Sequence, residues 1–169
     1  MIYPIVKYGQ PVLEEQAQPI ADFDTPELHQ LVEDMFESMY AARGVGLAAP
    51  QIGIAKKVAV IDISTGEDPS QKIVLINPEI VSREGSQTGE EGCLSLPTFR
   101  EPVTRAKKVV VRARDPQGAE FEMSGEDLLA RAIQHETDHL NGILFIDRMS
   151  SATKVSLGSK LKKLAAERG

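Results

Sequence analysis

The stretch "SGEDLLARAIQHETDHLNG", from Ser124 to Gly142, has the apolar periodicity of a helix and holds two of the chain's three histidines. On this helix His135 and His139 are four residues apart, so they lie on one face about one turn from each other. We therefore predict that their imidazoles bind one metal ion. A pair of surface histidines is the alternative.

Glu136 completes an H-E-x-x-H pattern, in which the Glu reaches a metal-bound water without being a ligand. Two protease patterns that begin in this way need a third ligand farther along the chain. Phe145 stands where one pattern requires a His, and the other requires a Glu, for which only Glu167 is available in the tail. Both protease interpretations therefore lack a ligand.

The single cysteine, Cys93, lies in "EEGCLSLP" and offers a thiolate, which is a strong ligand for a divalent ion. A lone cysteine is otherwise most often a small buried apolar residue. Cys93 with His135 and His139 leaves a fourth position for water, which is typical of a catalytic site. Glu136 would take a proton from this water and return it to a leaving group. These residues predict metal-assisted hydrolysis of an acyl bond.

The composition favours one domain over residues 1–169, with a monomer as the simplest assembly. A lone cysteine, no signal peptide and no long apolar run predict a cytoplasmic protein outside the membrane. The net charge of −6 argues against DNA or RNA as the main partner.

The tail is basic, whereas the rest of the chain is acidic. From Ala152 onward one acidic residue, Glu167, accompanies five basic residues: Lys154, Lys160, Lys162, Lys163 and Arg168. We predict a helix over about 150–169 that either docks on an anionic partner or is a solvated amphipathic helix.

The order of helices and strands predicts an α+β fold. A first helix spans Asp22 to Gly44, with Thr25 as its N-cap and His29 exposed. Ser124 with Asp127 resembles a capping box for the helix quoted above. Short β-branched runs predict five strands at Lys57–Ile63, Lys72–Pro78, Lys107–Arg114, Ala119–Met123 and Ile143–Asp147.

Three motifs in this order resemble the peptide deformylases, in particular their Gram-negative-like subgroup. They are "GVGLAAPQIG" (Gly44 to Gly53), "EGCLS" (Glu91 to Ser95) and "QHETDHLNG" (Gln134 to Gly142). The resemblance covers almost the whole chain. It implies mixed or antiparallel sheets packed around a central H-E-x-x-H helix, with an N-terminal and a C-terminal helix.

The resemblance also implies the reaction. A metal-bound water or hydroxide removes the N-formyl group from the initiator formyl-methionine of nascent polypeptides and releases formate. Cys93, His135 and His139 would bind one ion, ferrous iron in the cell, with zinc, nickel or cobalt as substitutes. Glu136 would shuttle the proton. The Gln51 side chain and the Leu94 backbone N–H would stabilise the oxyanion.

The substrate would lie extended along the backbone of Gly46, with Gly92 close by. Its methionine side chain would enter an apolar pocket formed by Val45, Leu128 and Ala132, although Leu128 equally suits a core position.

Three residues depart from what is usual in the family: Arg43, Gly89 and Arg131. We expect Arg131, one turn before His135, to direct its charged head outward over an apolar stem beside the pocket. The subgroup's tail helix can dock on the ribosome, which favours docking for the basic tail. An unusual metalloprotease and a catalytically silent metal- or peptide-binding module remain the alternatives.

Overall fold

The computed structural model describes residues 1–149 and 151–166, which form three α-helices and seven β-strands. The helices are α1 (Pro26–Ala41), α2 (Asp127–Leu140) and α3 (Ser151–Ala166). The strands are β1 (Gly46–Ala48), β2 (Val58–Ile61), β3 (Ile73–Glu84), β4 (Gln87–Cys93), β5 (Leu96–Arg105), β6 (Lys108–Arg114) and β7 (Glu120–Glu126).

Two antiparallel sheets make up the β structure. Five strands form one sheet in the order β1-β2-β3-β6-β7, and β4 pairs with β5 in the other. Strands β6 and β7 form a hairpin, in which the pairs run from Lys108↔Glu126 to Arg114↔Glu120. The strands predicted at Lys107–Arg114 and Ala119–Met123 and the α+β fold expected from the sequence are therefore confirmed.

Helix α2 packs against the five-stranded sheet and is buried on all sides along most of its length. Ala130, Ile133 and Leu140 join a core cluster with strand residues such as Ile61 and Val111. Eleven consecutive residues, Ala130–Leu140, are buried, and they include both histidines and several charged side chains. Buried polar groups cost free energy unless they find partners, so this helix depends on a built polar network.

Helix α1 begins as the sequence predicts. The Thr25 side chain accepts a hydrogen bond from the backbone N–H of Leu28 at 3.1 Å. Leu28, Val32 and Met35 are buried on the inner face of the helix. The His29 side chain is 41% exposed and lies 2.7 Å from the Asp24 carboxylate, so its predicted surface position is confirmed.

The predicted capping box of α2 is wrong. Ser124 pairs with Val110 in the sheet, so its backbone belongs to β7. The N-cap is Glu126, whose side chain makes no capping hydrogen bond, and α2 starts at Asp127. The predicted end is confirmed, because the helix stops at Leu140 and Gly142 has a φ of 75°.

The strand predicted at Ile143–Asp147 is also wrong. Phe145–Arg148 form a single 3-10 turn, in which the Asp147 carboxylate accepts a hydrogen bond from the Leu144 backbone N–H at 2.9 Å. Phe145 and Ile146 are buried in a core cluster with α3 residue Leu157. Because consecutive residues of this turn are buried, the sequence has a strand-like apolar pattern although the segment is not a strand.

The described part of the tail is helical, as expected. Leu157 is its buried residue, and Lys154, Lys160, Lys162 and Lys163 are exposed. Ser150, Glu167, Arg168 and Gly169 belong to the predicted helix but lie outside the described residues. Across the described ranges, no helix combines the length and the apolar content needed to cross a membrane.

The loop after β2 is held by a buried carboxylate, that of Asp62. This side chain accepts hydrogen bonds from the Tyr40 hydroxyl, from the backbone N–H groups of Ser64 and Gly66, and from the Ser64 hydroxyl. Burial raises the pKa of Asp62, but these hydrogen bonds outweigh it and hold the pKa below its usual value. Burial and the bond to Asp62 raise the pKa of Tyr40 to about 12.

Replacing Asp62 with Ala should lower the free energy of unfolding by about 2–3 kcal/mol, because four hydrogen bonds to a buried carboxylate are lost. Tyr40→Phe removes a single hydroxyl and should cost about 1 kcal/mol. Because the folded-state pKa is depressed, the stabilisation is present above about pH 4 and is lost as the pH falls through the folded-state pKa. Urea unfolding at neutral and acidic pH measures both effects. Equal losses for the two variants would contradict this account.

Candidate metal centre

Three side chains with metal-ligating atoms meet where α2 approaches the end of β4. His135 and His139 lie one turn apart on α2, and Cys93 is the last residue of β4. The Nε2 atoms of the histidines are 3.1 Å apart, and Cys93 Sγ is 3.3 Å from His139 Nε2. All three ligand atoms lie within 4.8 Å of one another. The structure thus brings together the three residues that the sequence predicts as ligands.

This donor set fits a divalent transition-metal ion. A tetrahedral ion holds sulfur at about 2.3 Å and nitrogen at about 2.0 Å, which separates neighbouring ligand atoms by roughly 3.3–3.6 Å. The two separations given above are close to this spacing. A thiolate and two imidazoles also leave one position open.

Glu91 orients the first histidine. Its Oε2 atom lies 2.6 Å from His135 Nδ1, which therefore donates its proton and leaves Nε2 free to face the ligand cluster. Burial lowers the pKa of His135, but the nearby Glu136, Cys93 and Glu91 outweigh it and raise the pKa well above its usual value. Burial and the charge of His135 lower the pKa of His139.

The Glu91 carboxylate belongs to a buried ionic network. Arg105 donates to both of its oxygens, at 3.1 and 2.6 Å, and a further Arg105 nitrogen lies 2.6 Å from Asp138. Arg148 holds Asp138 from the other side through two bonds, at 3.0 and 2.8 Å. Burial raises the pKa of Glu91, but the hydrogen bonds from His135 and Arg105 reverse this and hold the pKa well below its usual range.

Arg131 also belongs to this network, so the predicted outward orientation of its head is wrong. Arg131 is only 8% exposed, and its Nη1 atom donates to Glu91 Oε1 at 2.8 Å and to the Val103 carbonyl at 3.2 Å. A Cβ atom on Gly89 would lie 3.5 Å from Arg131 Nη2. Gly89 therefore leaves room for the Arg131 guanidinium.

Glu136 is buried beside the ligands and lies against the backbone of β1. A Cβ atom on Gly46 would approach Glu136 Oε2 to 2.5 Å, so only glycine leaves the carboxylate in this position. Burial raises the pKa of Glu136 to about 7. Its Oε1 atom has no hydrogen-bond partner within residues 1–149 and 151–166. This carboxylate is therefore able to hold or release a proton near neutral pH.

The side-chain amide of Gln51 is held close to Cys93 and Ser95. Its Oε1 atom accepts from the Ala48 backbone N–H at 3.0 Å. Its Nε2 atom lies 3.2 Å from Ser95 Oγ and 3.5 Å from Cys93 Sγ. Gln51 and Ser95 are both buried, so the amide is a preorganised donor beside the cluster.

A cavity of about 470 Å³ adjoins Cys93 and His135. Its walls include Gln51, Leu94 and Glu136. They also include all six residues that the sequence predicts to contact substrate: Val45, Gly46, Gly92, Leu128, Arg131 and Ala132. Leu128 is 50% exposed, so the core interpretation of this residue is wrong.

The sequence alone did not indicate three supporting residues, Glu91, Ser95 and Arg105. The first two flank Cys93 inside "EGCLS", and their place in that motif is the one signal that could have identified them. Arg105 carries no local signal, because it reaches Glu91 only through the pairing of β5 with β4.

Comparisons with known proteins agree with this geometry. The family model described as polypeptide deformylase matches residues 2–155. A peptide deformylase from Acidobacterium capsulatum is 58% identical over 97% of this chain and 96% of its own length. The match to the crystal structure of a peptide deformylase from Legionella pneumophila extends over 100% of both chains, with 45% identity and a TM-score of 0.88. The peptide deformylase from Thermus thermophilus covers 99% of this chain and 100% of its own at 40% identity, with a TM-score of 0.90.

Glu91→Gln should weaken metal binding by roughly 10–100-fold, because His135 loses the anion that orients it and increases its basicity. Titration of the metal-free protein with Co²⁺, followed by the absorption of the thiolate–cobalt bond, measures the affinity. Glu90→Gln removes the same charge from the exposed neighbouring position and is the control. If Glu91→Gln reduced the free energy of unfolding but left the affinity intact, the orienting role would be wrong.

Proposed function

Because the chain belongs to the polypeptide deformylase family, we propose that it removes the N-formyl group from the initiator formyl-methionine of nascent polypeptides. The observation that carries this proposal is the close approach of Cys93, His135 and His139 beside a cavity lined by Glu136 and Gln51. These groups are the ligands, the proton carrier and the oxyanion donor that hydrolysis of a formamide requires.

Cys93, His135 and His139 would hold one divalent ion, ferrous iron in the cell, with zinc, nickel or cobalt able to replace it. When bound, the ion acidifies water and polarises the formyl carbonyl. Thiolate and imidazole ligands suit all of these ions.

Glu136 carries the proton in this scheme. Water attacks the formyl carbon, and Glu136 accepts the proton that the water releases. The C–N bond then breaks, formate leaves, and the proton passes to the amine nitrogen of methionine. A pKa of about 7 suits both steps, because the group accepts and donates near neutral pH.

Gln51 and the backbone N–H of Leu94 stabilise the oxyanion that forms on the formyl oxygen. The Gln51 amide is held in place by Ala48 and Ser95, so it needs no reorganisation when the charge develops. Leu94 directly follows the ligand Cys93 and lines the cavity.

The peptide would lie extended between Gly46 and Gly92, which both line the cavity, and would add like a strand beside the edge strand β1. Its methionine side chain would occupy the part of the cavity walled by Val45, Leu128 and Ala132. Arg131 would close this part from behind, with its charge neutralised by Glu91.

The remaining expectations concern the partners and the setting. The exposed lysines of α3 support docking on an anionic surface, and we propose the ribosome as that partner. A monomeric state and a cytoplasmic location remain predictions from the sequence.

Glu136→Gln should lower kcat for formate release from formyl-Met-Ala-Ser by about 100-fold or more, because the neutral amide cannot carry the proton. Metal analysis should show the same metal content as in the parent protein, since Glu136 is not a ligand. Glu33→Gln, on the exposed face of α1, is the control for loss of one carboxylate. Full activity of Glu136→Gln would sink the proposed mechanism.

Gly46→Ala should reduce kcat/KM by about 100-fold, because the new Cβ displaces the Glu136 carboxylate from a position where even 1 Å matters. Its thermal unfolding should change little, since the displaced atoms end a side chain. The matched control is Gly158→Ala on α3, where a Cβ meets nothing within 4 Å. Activity close to that of the parent protein would show that the carboxylate tolerates displacement.

A further inference from the structure

Two arginines that the proposed reaction does not use lie in the walls of the cavity. Arg43 and Arg100 both line it, and both are exposed. Besides Cys93 and His135, the other ionisable groups in its walls are Glu90, Glu91, Arg131 and Glu136. Of these, Glu91 and Arg131 are buried partners of each other, and Glu136 is buried beside the ligands. The exposed charges around the cavity are therefore two arginines and one carboxylate.

Arg43 holds a backbone conformation that disfavours most side chains. It follows the end of α1, and its φ is 60°, in the left-handed region that Gly or Asn adopts at lower cost. A positive charge is favourable at a helix C-terminus, which accounts for part of its stability. Within residues 1–149 and 151–166 its guanidinium makes no hydrogen bond or ion pair, so it remains available to a ligand.

Arg100 lies across the backbone of β4 close to the ligand residues. A Cβ atom on Gly92 would be 3.0 Å from Arg100 Nη1, which places the guanidinium directly over the residue before Cys93. Its nearest carboxylate, Glu90, is 3.8 Å away, and both side chains are about two-thirds exposed, at 66% and 67%. An exposed pair at this distance is weak and leaves the arginine able to bind another anion.

An extended peptide would bring its second and third residues to these arginines. With its formyl group at Cys93 and Glu136, the chain leaves the site past Gly92 and rises by about 3.3 Å per residue. Gly44 and Val45, which directly follow Arg43, also line the cavity. Because Arg43 and Arg100 line the same cavity, we expect the side chains after methionine to pass close to both.

We propose that Arg43 and Arg100 make this enzyme prefer substrates with an acidic residue at the second or third position after the formyl group, counting methionine as the first. The preference rests on the proposed deformylase function. A guanidinium presents a planar pair of donors that matches a carboxylate. The acidic remainder of the protein opposes it weakly, because salt screens charges beyond about 8 Å in the cell.

The test compares formyl-Met-Xaa-Ala-Ser and formyl-Met-Ala-Xaa-Ser amides in which Xaa is Glu, Gln or Lys. The C-terminal amide removes the terminal carboxylate. At one of the two positions kcat/KM should be roughly two- to tenfold higher for Glu than for Lys, mainly through KM, because the contact is remote from the reacting bond. Raising the salt from about 0.02 M to about 0.5 M should bring this ratio close to one.

Charge variants assign the preference to these side chains. Arg43→Asn keeps a residue that tolerates the left-handed backbone and removes the charge, so the ratio should fall. Arg43→Glu and Arg100→Glu should each lower it further, and the double variant should invert it. Arg83→Glu reverses an equally exposed arginine outside this cavity and should leave the ratio unchanged.

The outcomes separate this inference from the function on which it rests. A ratio near or below one at both positions in the parent protein would overturn the inference while hydrolysis of the Gln peptides upheld the function. A ratio that Arg43→Glu and Arg100→Glu leave intact would also overturn it. Failure to hydrolyse any peptide, Gln peptides included, would overturn the proposed function and this inference together.

Discussion

The carboxylate of Glu91 is the point on which the rest of the site depends. It accepts hydrogen bonds from His135 on α2, from Arg105 on β5 and from Arg131 on α2, while its own backbone belongs to β4. One buried anion thus connects the central helix to the two-stranded sheet and fixes the orientation of a ligand. Removing one member of such a network leaves the remaining charges buried and unpaired, which costs more than the pair contributes.

The same network explains how α2 can be buried with so many polar residues. Two arginines and a histidine surround Glu91, and Arg105 and Arg148 neutralise Asp138. Within residues 1–149 and 151–166 Glu136 forms no ion pair with an arginine or a lysine, so burial prevails and raises its pKa to about 7. The two buried carboxylates therefore differ. Glu91 is held as an anion that orients His135, whereas Glu136 can hold or release a proton near neutral pH.

The sequence predicted the parts of this site that depend on local spacing. His135 and His139 needed only the helical repeat, and Cys93 was identified because that helix lacked a third ligand. Arg131 was misjudged because the same repeat places it beside the cavity but cannot show Glu91, which approaches from another strand. Strand β4 was missed because its sequence, "QTGEEGC", has no β-branched alternation. Its partner β5 was missed with it. Their stability comes from pairing with each other, which the pattern of one strand does not reveal.

The same difference between local and long-range contacts applies to the residues around the cavity. The ligands and Glu136 follow from motifs, whereas the chemistry around the cavity follows from strand register. Gly92 pairs with Arg100, and the register then shifts before Cys93 pairs with Leu96. At this irregularity Cys93 Sγ lies 3.3 Å from His139 Nε2, and the Arg100 guanidinium lies over Gly92. Substitutions that altered the β4–β5 pairing would therefore move Cys93 and the Arg100 side of the cavity together.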